Sequence, residues 1–233
     1  MENVMERYSE IKSKIKREIV LLKSFPCIWS KCTFCDYIED NSTCEEEIIQ
    51  INKEVLKKVT GKYGVLEVID SASIFELPKE TLQNIKDIIN EKNIHTLFIE
   101  SHWLYHEKIE EIRQFFGIKV IVKIGVETFD EEFRNVVLNK NAHFTSIEQL
   151  KRYFDSPCLM VGIQGQTKQM IDNDMMILQT YFQYGTINIY RNNSTTIKRD
   201  DDLVCWFLNK YNDLIEDSRY DFLYTPTDFG VGD

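Results

Sequence analysis

Apolar and polar positions alternate along the chain in two kinds of segment. Short apolar runs at 18–25 (EIVLLKSF), 65–70 (VLEVID), 94–100 (IHTLFIE), 119–127 (KVIVKIGVE), 158–165 (CLMVGIQG) and 186–192 (TINIYRN) read as buried strands. Between them, apolar residues three and four apart predict helices over 44–59, 78–92, 105–116, 130–139, 146–154, 169–184 and 200–217. Local signals agree. Acidic residues lead the first helix and lysines close it, Pro78 opens the second, Gly117 ends the third, and Thr128 or Asp130 caps the fourth. Six strands, each followed by helix, demand a parallel sheet with crossovers. In 233 residues this predicts an α/β fold, a partial (β/α)6 barrel of parallel strands rather than a closed eightfold one. No linker or repeat divides the chain, so 1–233 is expected to form one domain. Lys12, Lys14, Lys16 and Arg17 read as the solvated face of an N-terminal helix. The tail, 218–233, reads as irregular, and its aromatic residues and glycines suggest a segment that folds back as a lid over the active site.

Composition narrows the function. The apolar fraction of 43% and charged fraction of 28% are those of a globular protein. No apolar run approaches the roughly 20 residues that span a bilayer, and the first residues show no signal-peptide core. A cytoplasmic protein with no membrane partner is expected. The net charge of −10 argues against a nucleic-acid partner and for a small-molecule substrate, a cationic one included.

In barrels of this kind chemistry gathers in the loops after the strands. The first such loop carries Cys27, Cys32 and Cys35, a C-x4-C-x2-C run in a polar setting. Thiolates at this spacing converge on iron or zinc. Three readings stand. Zinc would take Cys44 as a fourth ligand. A plant-type [2Fe–2S] centre would also need a distant fourth cysteine. A [4Fe–4S] cluster with three ligands would leave one iron open to a small molecule. Cys44 begins a predicted helix, which disfavours the first two. Cys158 and Cys205 sit among apolar residues and read as buried core thiols.

The cysteine run after strand one of a (β/α)6 pattern, with the aromatic Phe34 before the last cysteine, resembles the radical S-adenosylmethionine (SAM) superfamily over nearly the whole chain. The usual first gap is one residue shorter. The resemblance implies a [4Fe–4S] cluster on Cys27, Cys32 and Cys35, SAM as co-substrate, and an external electron donor such as flavodoxin or ferredoxin. It implies that Asp70, Ser71 and Ser73 hold the SAM amino group, in place of the family's Gly-Gly-Glu. Lys123-Ile-Gly125-Val-Glu127 resembles Ser-x-Gly-x-Glu, which would set Glu127 on the SAM ribose or amino group, with Arg134 on its carboxylate. The plain alternative for those two is a surface ion pair. Gly162-Ile-Gln164-Gly165 resembles the adenine-contacting segment, or is simply a glycine turn; Tyr190 starts the loop after the sixth strand and joins the cofactor set.

More narrowly, IDSASIFE, IESHWLYH, KIGVETFDEEFR and TDFGVGD are similar to the queuine lyase group of bacterial queuosine salvage. That resemblance implies a lyase releasing 7-aminomethyl-7-deazaguanine (preQ1) from queuine. Carboxylates suit the deazaguanine edge and the cationic secondary amine, which points to Glu100 and Asp228. Ser101, His102, Trp103 and Tyr105 would complete the pocket, with Trp103 or Tyr105 stacked on the base, and Asn192 and Asn193 on the diol. Trp103 and Tyr105 also read as caps on the core, and His102 with His106 as a solvated helix face. Two alternatives remain: a radical SAM enzyme with another small substrate, and an iron–sulfur or zinc redox or binding module without SAM chemistry.

Overall fold

Eight strands form one sheet in chain order. The computed structural model describes residues 5–232; the first four residues of the predicted N-terminal helix, and Asp233 at the end of the predicted tail, lie outside them. The strands are β1 (Tyr8–Ile11), β2 (Arg17–Leu22), β3 (Val65–Asp70), β4 (Thr96–Glu100), β5 (Lys119–Glu127), β6 (Ser156–Val161), β7 (Gly185–Ile189) and β8 (Tyr220–Leu223). β1 pairs antiparallel with β2, and every later pairing is parallel. The helices are α1 (Glu45–Leu56), α2 (Lys79–Glu91), α3 (Ile109–Phe116), α4 (Ile147–Tyr153), α5 (Lys168–Tyr181), α6 (Asp201–Lys210) and α7 (Asn212–Ile215).

All six expected strands are present, β3 and β5 at the predicted bounds. The ends differ from expectation. The lysine-rich start is a hairpin, not a helix: its turn includes Lys14 with φ of 54°, and Arg17 is fully buried rather than solvated. The tail is not irregular throughout, because Tyr220–Leu223 adds a strand to the sheet. Both strands are four residues long, too short for their alternation to stand out. Cys158 is buried as expected, but Cys205 is exposed on α6.

The sheet curls into a partial barrel. β2 and β8 are separated by five strands in the sheet, yet Arg17 Nη2 lies 2.7 Å from Asp221 Oδ2 across the interior. Alternation assigns the two faces. Leu66, Val68, Leu97, Ile99, Val122 and Ile124 pack outward with Ile85, Ile89, Ile112 and Phe116 of α2 and α3 in one continuous core. Arg17, Glu67 and Lys123 take the opposite parity and face the lumen. The tail then returns to the N-terminal edge, where Gly232 and Glu6 exchange backbone hydrogen bonds of 3.2 and 2.8 Å. Val231 is buried there with Ile11 and Ile19.

Candidate active site

The lumen floor carries charge where a parallel sheet ordinarily buries apolar side chains. Arg17 Nε donates to Glu67 Oε2, and Lys123 Nζ lies 2.5 Å from Glu67 Oε1. Lys123 also stands 3.6 Å from Glu100 Oε1. Phe229 of the tail lies over both cations, its ring centroid 5.3 Å from Arg17 and 5.5 Å from Lys123. Burial alone would raise the Glu67 carboxyl, but Arg17 and Lys123 outweigh it and hold it below the ordinary range. This network accounts for Lys123 standing where Ser-x-Gly-x-Glu has serine: position 123 belongs to the floor.

Above the floor, the cysteine loop is tied to three other strand-end loops. Ile28 N donates to Glu76 Oε1 at 3.0 Å, Trp29 Nε1 to Asn139 O at 2.6 Å and Thr33 N to Leu138 O at 3.1 Å. Asn193 Nδ2 donates to Phe34 O at 2.7 Å. Cys27, Cys32 and Cys35 are partly buried, and Phe34 packs with Cys32, Cys35, Tyr190 and Met160 in an apolar cluster of their own. Burial pushes the Cys32 thiol up to about 12; Lys140 pulls it down, and Glu127, Cys35 and Cys27 add to the rise. Among the described residues, no three His, Cys, Asp or Glu side chains stand at a spacing that by itself holds a metal ion. Soft donors on one loop, in an apolar setting at the lumen mouth, nevertheless suit an iron–sulfur cluster. Cys44 suits neither alternative centre: it is exposed, and its thiol donates to Glu46 Oε2 at 3.5 Å.

The wall beside this loop is acidic. Asp70 Oδ1 accepts from Ala72 N at 2.7 Å, while its Oδ2 is buried without a partner. Burial holds the Asp70 carboxyl well above the ordinary range, and Glu100 and Glu76 raise it further. Glu76 is 7% exposed; its Oε1 takes Ile28 N and the Tyr105 hydroxyl (2.8 Å), and its Oε2 is also unpartnered. Glu100 is raised by burial as well, with Lys123 opposing. Ser71 meets Ser24 at 3.1 Å, and Ser73 donates to Ser101 at 3.4 Å. His102 accepts from Leu104 N through Nδ1, so its Nε2 carries the proton donated to Lys140 O at 2.9 Å. Burial lowers this imidazole to about 4, which keeps it neutral near pH 7.

β5 ends in a bulge between Gly125 and Glu127, and Glu127 adopts a left-handed φ of 66°. Such backbone in a non-glycine residue persists only where its surroundings hold it. Glu127 Oε1 accepts from Lys140 Nζ at 2.7 Å. Gly125 makes the pair possible, because a Cβ there would overlap Glu127 Oε1 and come within 2.7 Å of Lys140 Nζ. Glu127 therefore pairs with Lys140 and not with Arg134, and the pair is largely enclosed rather than on the surface, with side chains 6% and 14% exposed.

Several expected site residues are committed elsewhere. Arg134 is 1% exposed and donates to the carbonyls of Thr128 and Ala142 over the Phe144 ring. Trp103 lies in the helix-side core, stacked on His106 with centroids 4.3 Å apart. Tyr105 stacks on Phe75 instead. Asp228 is exposed and closes its own turn by accepting from Tyr224 N and Thr225 N. Asn192 accepts from Arg199 N, and Asn193 serves the cysteine loop. The Tyr190 hydroxyl reaches Asn193, Thr195 and Ile197 O. Gly162, at φ of 89°, gives its N–H to Gln166, while the exposed Gln164 bonds Lys198 O through its backbone. The sequence reading missed Glu76 and Lys140. A carboxylate between Phe75 and Leu77 was the signal for the first; nothing local marks the second.

A queuine lyase from Clostridium spiroforme, solved bound to SAM and queuine, is 63% identical to this chain, with a TM-score of 0.98. The match covers 98% of this chain and 100% of that one. Streptococcus suis SuiB is 12% identical with a TM-score of 0.56, over 88% of this chain and 48% of that one, a likeness of fold alone. An uncharacterised protein of Methanocaldococcus jannaschii is 30% identical over 140 residues, 52% of this chain and 38% of that protein. The chain therefore matches well under half the length of that curated relative. No family model matches the chain.

Proposed function

The chain belongs to the queuine lyase family of radical SAM enzymes, and from that membership we propose that it cleaves queuine and releases preQ1. The observation that carries the reading is full-length similarity at 63% identity to a queuine lyase with SAM and queuine bound. Cys27, Cys32 and Cys35 would hold a [4Fe–4S] cluster, which would supply the electron for reductive cleavage of SAM and so the hydrogen-abstracting chemistry directed at the cyclopentenediol of queuine.

The chain's own residues bind, orient and exclude water. Asp70, Ser71 and Ser73 would hold the SAM amino group, which would give the unpartnered Asp70 Oδ2 a donor. Glu127 is held by Lys140 for the ribose or amino group. Phe34 would border the adenine, with the Tyr190 ring packed behind it. Glu100, Ser101 and His102 form the substrate wall, with Glu100 as the carboxylate for the cationic amine. Neutral His102 holds its place through Lys140 O and brings no positive charge to that amine. The electron donor is a one-electron carrier such as flavodoxin or ferredoxin, the setting is cytoplasmic, and no nucleic acid or membrane takes part. No described helix is long and apolar enough to cross a membrane.

The test is anaerobic. Protein reconstituted with iron and sulfide is mixed with SAM, dithionite and queuine, and 5′-deoxyadenosine and preQ1 are followed by mass spectrometry. Both products are expected together. Deoxyadenosine without preQ1 would reject queuine as substrate; neither product from protein with an intact cluster would reject the radical chemistry.

A further inference from the structure

Lys140 is held from every side. Its N–H donates to Arg134 O at 3.0 Å and its carbonyl accepts from His102 Nε2. The residues before it grip the cysteine loop: Leu138 O takes Thr33 N, Asn139 O takes Trp29 Nε1, and Asn139 Nδ2 donates to Lys31 O at 2.8 Å. Asn139 and Asn141 flank it at φ of 48° and 54°, a turn that aims Lys140 inward. Its ammonium then lies 2.7 Å from Glu127 Oε1 and 5.5 Å from the ring centroid of Phe34, the residue before Cys35. Gly125 leaves the space it occupies. A side chain needed only to satisfy Glu127 would not require a segment stitched to the cysteine loop at three points.

We propose that Lys140 is a positioning residue for electron transfer, whose largely enclosed ammonium stabilises the reduced cluster and so raises its reduction potential. This rests on the reading that Cys27, Cys32 and Cys35 hold that cluster. Reduction adds one negative charge to a cluster already ligated by thiolates. A fixed cation in apolar surroundings favours the more negative state. Glu127 opposes it, but the Lys140 ammonium is the cation that stands over the Phe34 ring beside Cys35.

The experiment is an EPR-monitored redox titration of reconstituted protein without SAM, so that cofactor binding does not enter. Iron and sulfide content are measured first. Lys140→Met is expected to lower the ratio of reduced to oxidised cluster at fixed potential about tenfold, and Lys140→Arg to restore it. Glu127→Gln is expected to move the midpoint the opposite way, because it removes a negative charge. A Lys140→Met protein with full cluster and an unmoved midpoint would overturn the proposal. Should that variant not hold a cluster, Glu127→Gln decides: a rise supports the proposal, and no change or a fall overturns it. Failure of the underlying reading looks different, since Cys32→Ala would then keep its cluster.

Discussion

At the floor of the lumen, Arg17 and Lys123 meet Glu67 and Asp221 in pairs enclosed by Phe98 and Phe229. At the mouth, the carboxylates of Asp70 and Glu76 each keep a buried oxygen without a partner, and both are raised above the usual carboxylate range. The same residue types in the same lumen serve different ends. Charges paired on all sides join β2, β3, β5 and β8 and brace the partial barrel. Carboxylates left half-satisfied cost stability, and a donor brought by a ligand offsets that cost. Glu100 lies between the regimes, 3.6 Å from Lys123 with 34% of its side chain open.

Four substitutions sharpen this contrast. The largest effect is expected for Cys32→Ala at the mouth: loss of cluster iron and of all turnover, with the fold retained by circular dichroism. Glu67→Gln strikes the floor and takes from two buried cations the carboxylate they share, leaving Arg17 with Asp221 and Lys123 with Glu100 at 3.6 Å. Breaking such a pair costs about 3–5 kcal/mol, so the melting temperature should fall on the order of 10 °C. Gly125→Ala at the mouth should disturb the Glu127–Lys140 pair, costing about 1–3 kcal/mol and most of the SAM affinity by calorimetry.

The smallest expected effect is on Asp70, and it depends on pH. A carboxyl raised by folding binds more protons in the native state than in the unfolded chain, so its contribution falls as pH rises above the unfolded value near 4. Asp70→Asn removes that loss. Melting curves should show it more stable than wild type by a few degrees at pH 8, with the difference gone near pH 4.

Much of the mouth was legible because its residues end or follow strands in a regular alternation: the cysteines after β2, Asp70 at the end of β3, Glu100 at the end of β4, Glu127 at the end of β5. The floor was not, because Arg17, Glu67 and Lys123 sit mid-pattern, and charged residues in a strand ordinarily read as exposed. Arg17 in particular was masked by neighbouring lysines that form a hairpin turn. Trp103 and Asp228 show a different limit. Position after a strand does not tell which way a side chain turns, and tertiary packing took the first into the core while a local turn took the second.

The division between a paired floor and a half-satisfied mouth is tested most directly by melting Asp70→Asn and Glu67→Gln side by side at pH 8. Both exchange a carboxylate for its amide isostere. The account predicts that Asp70→Asn melts at or above wild type and Glu67→Gln well below it. Equal losses, or the reverse order, would contradict it.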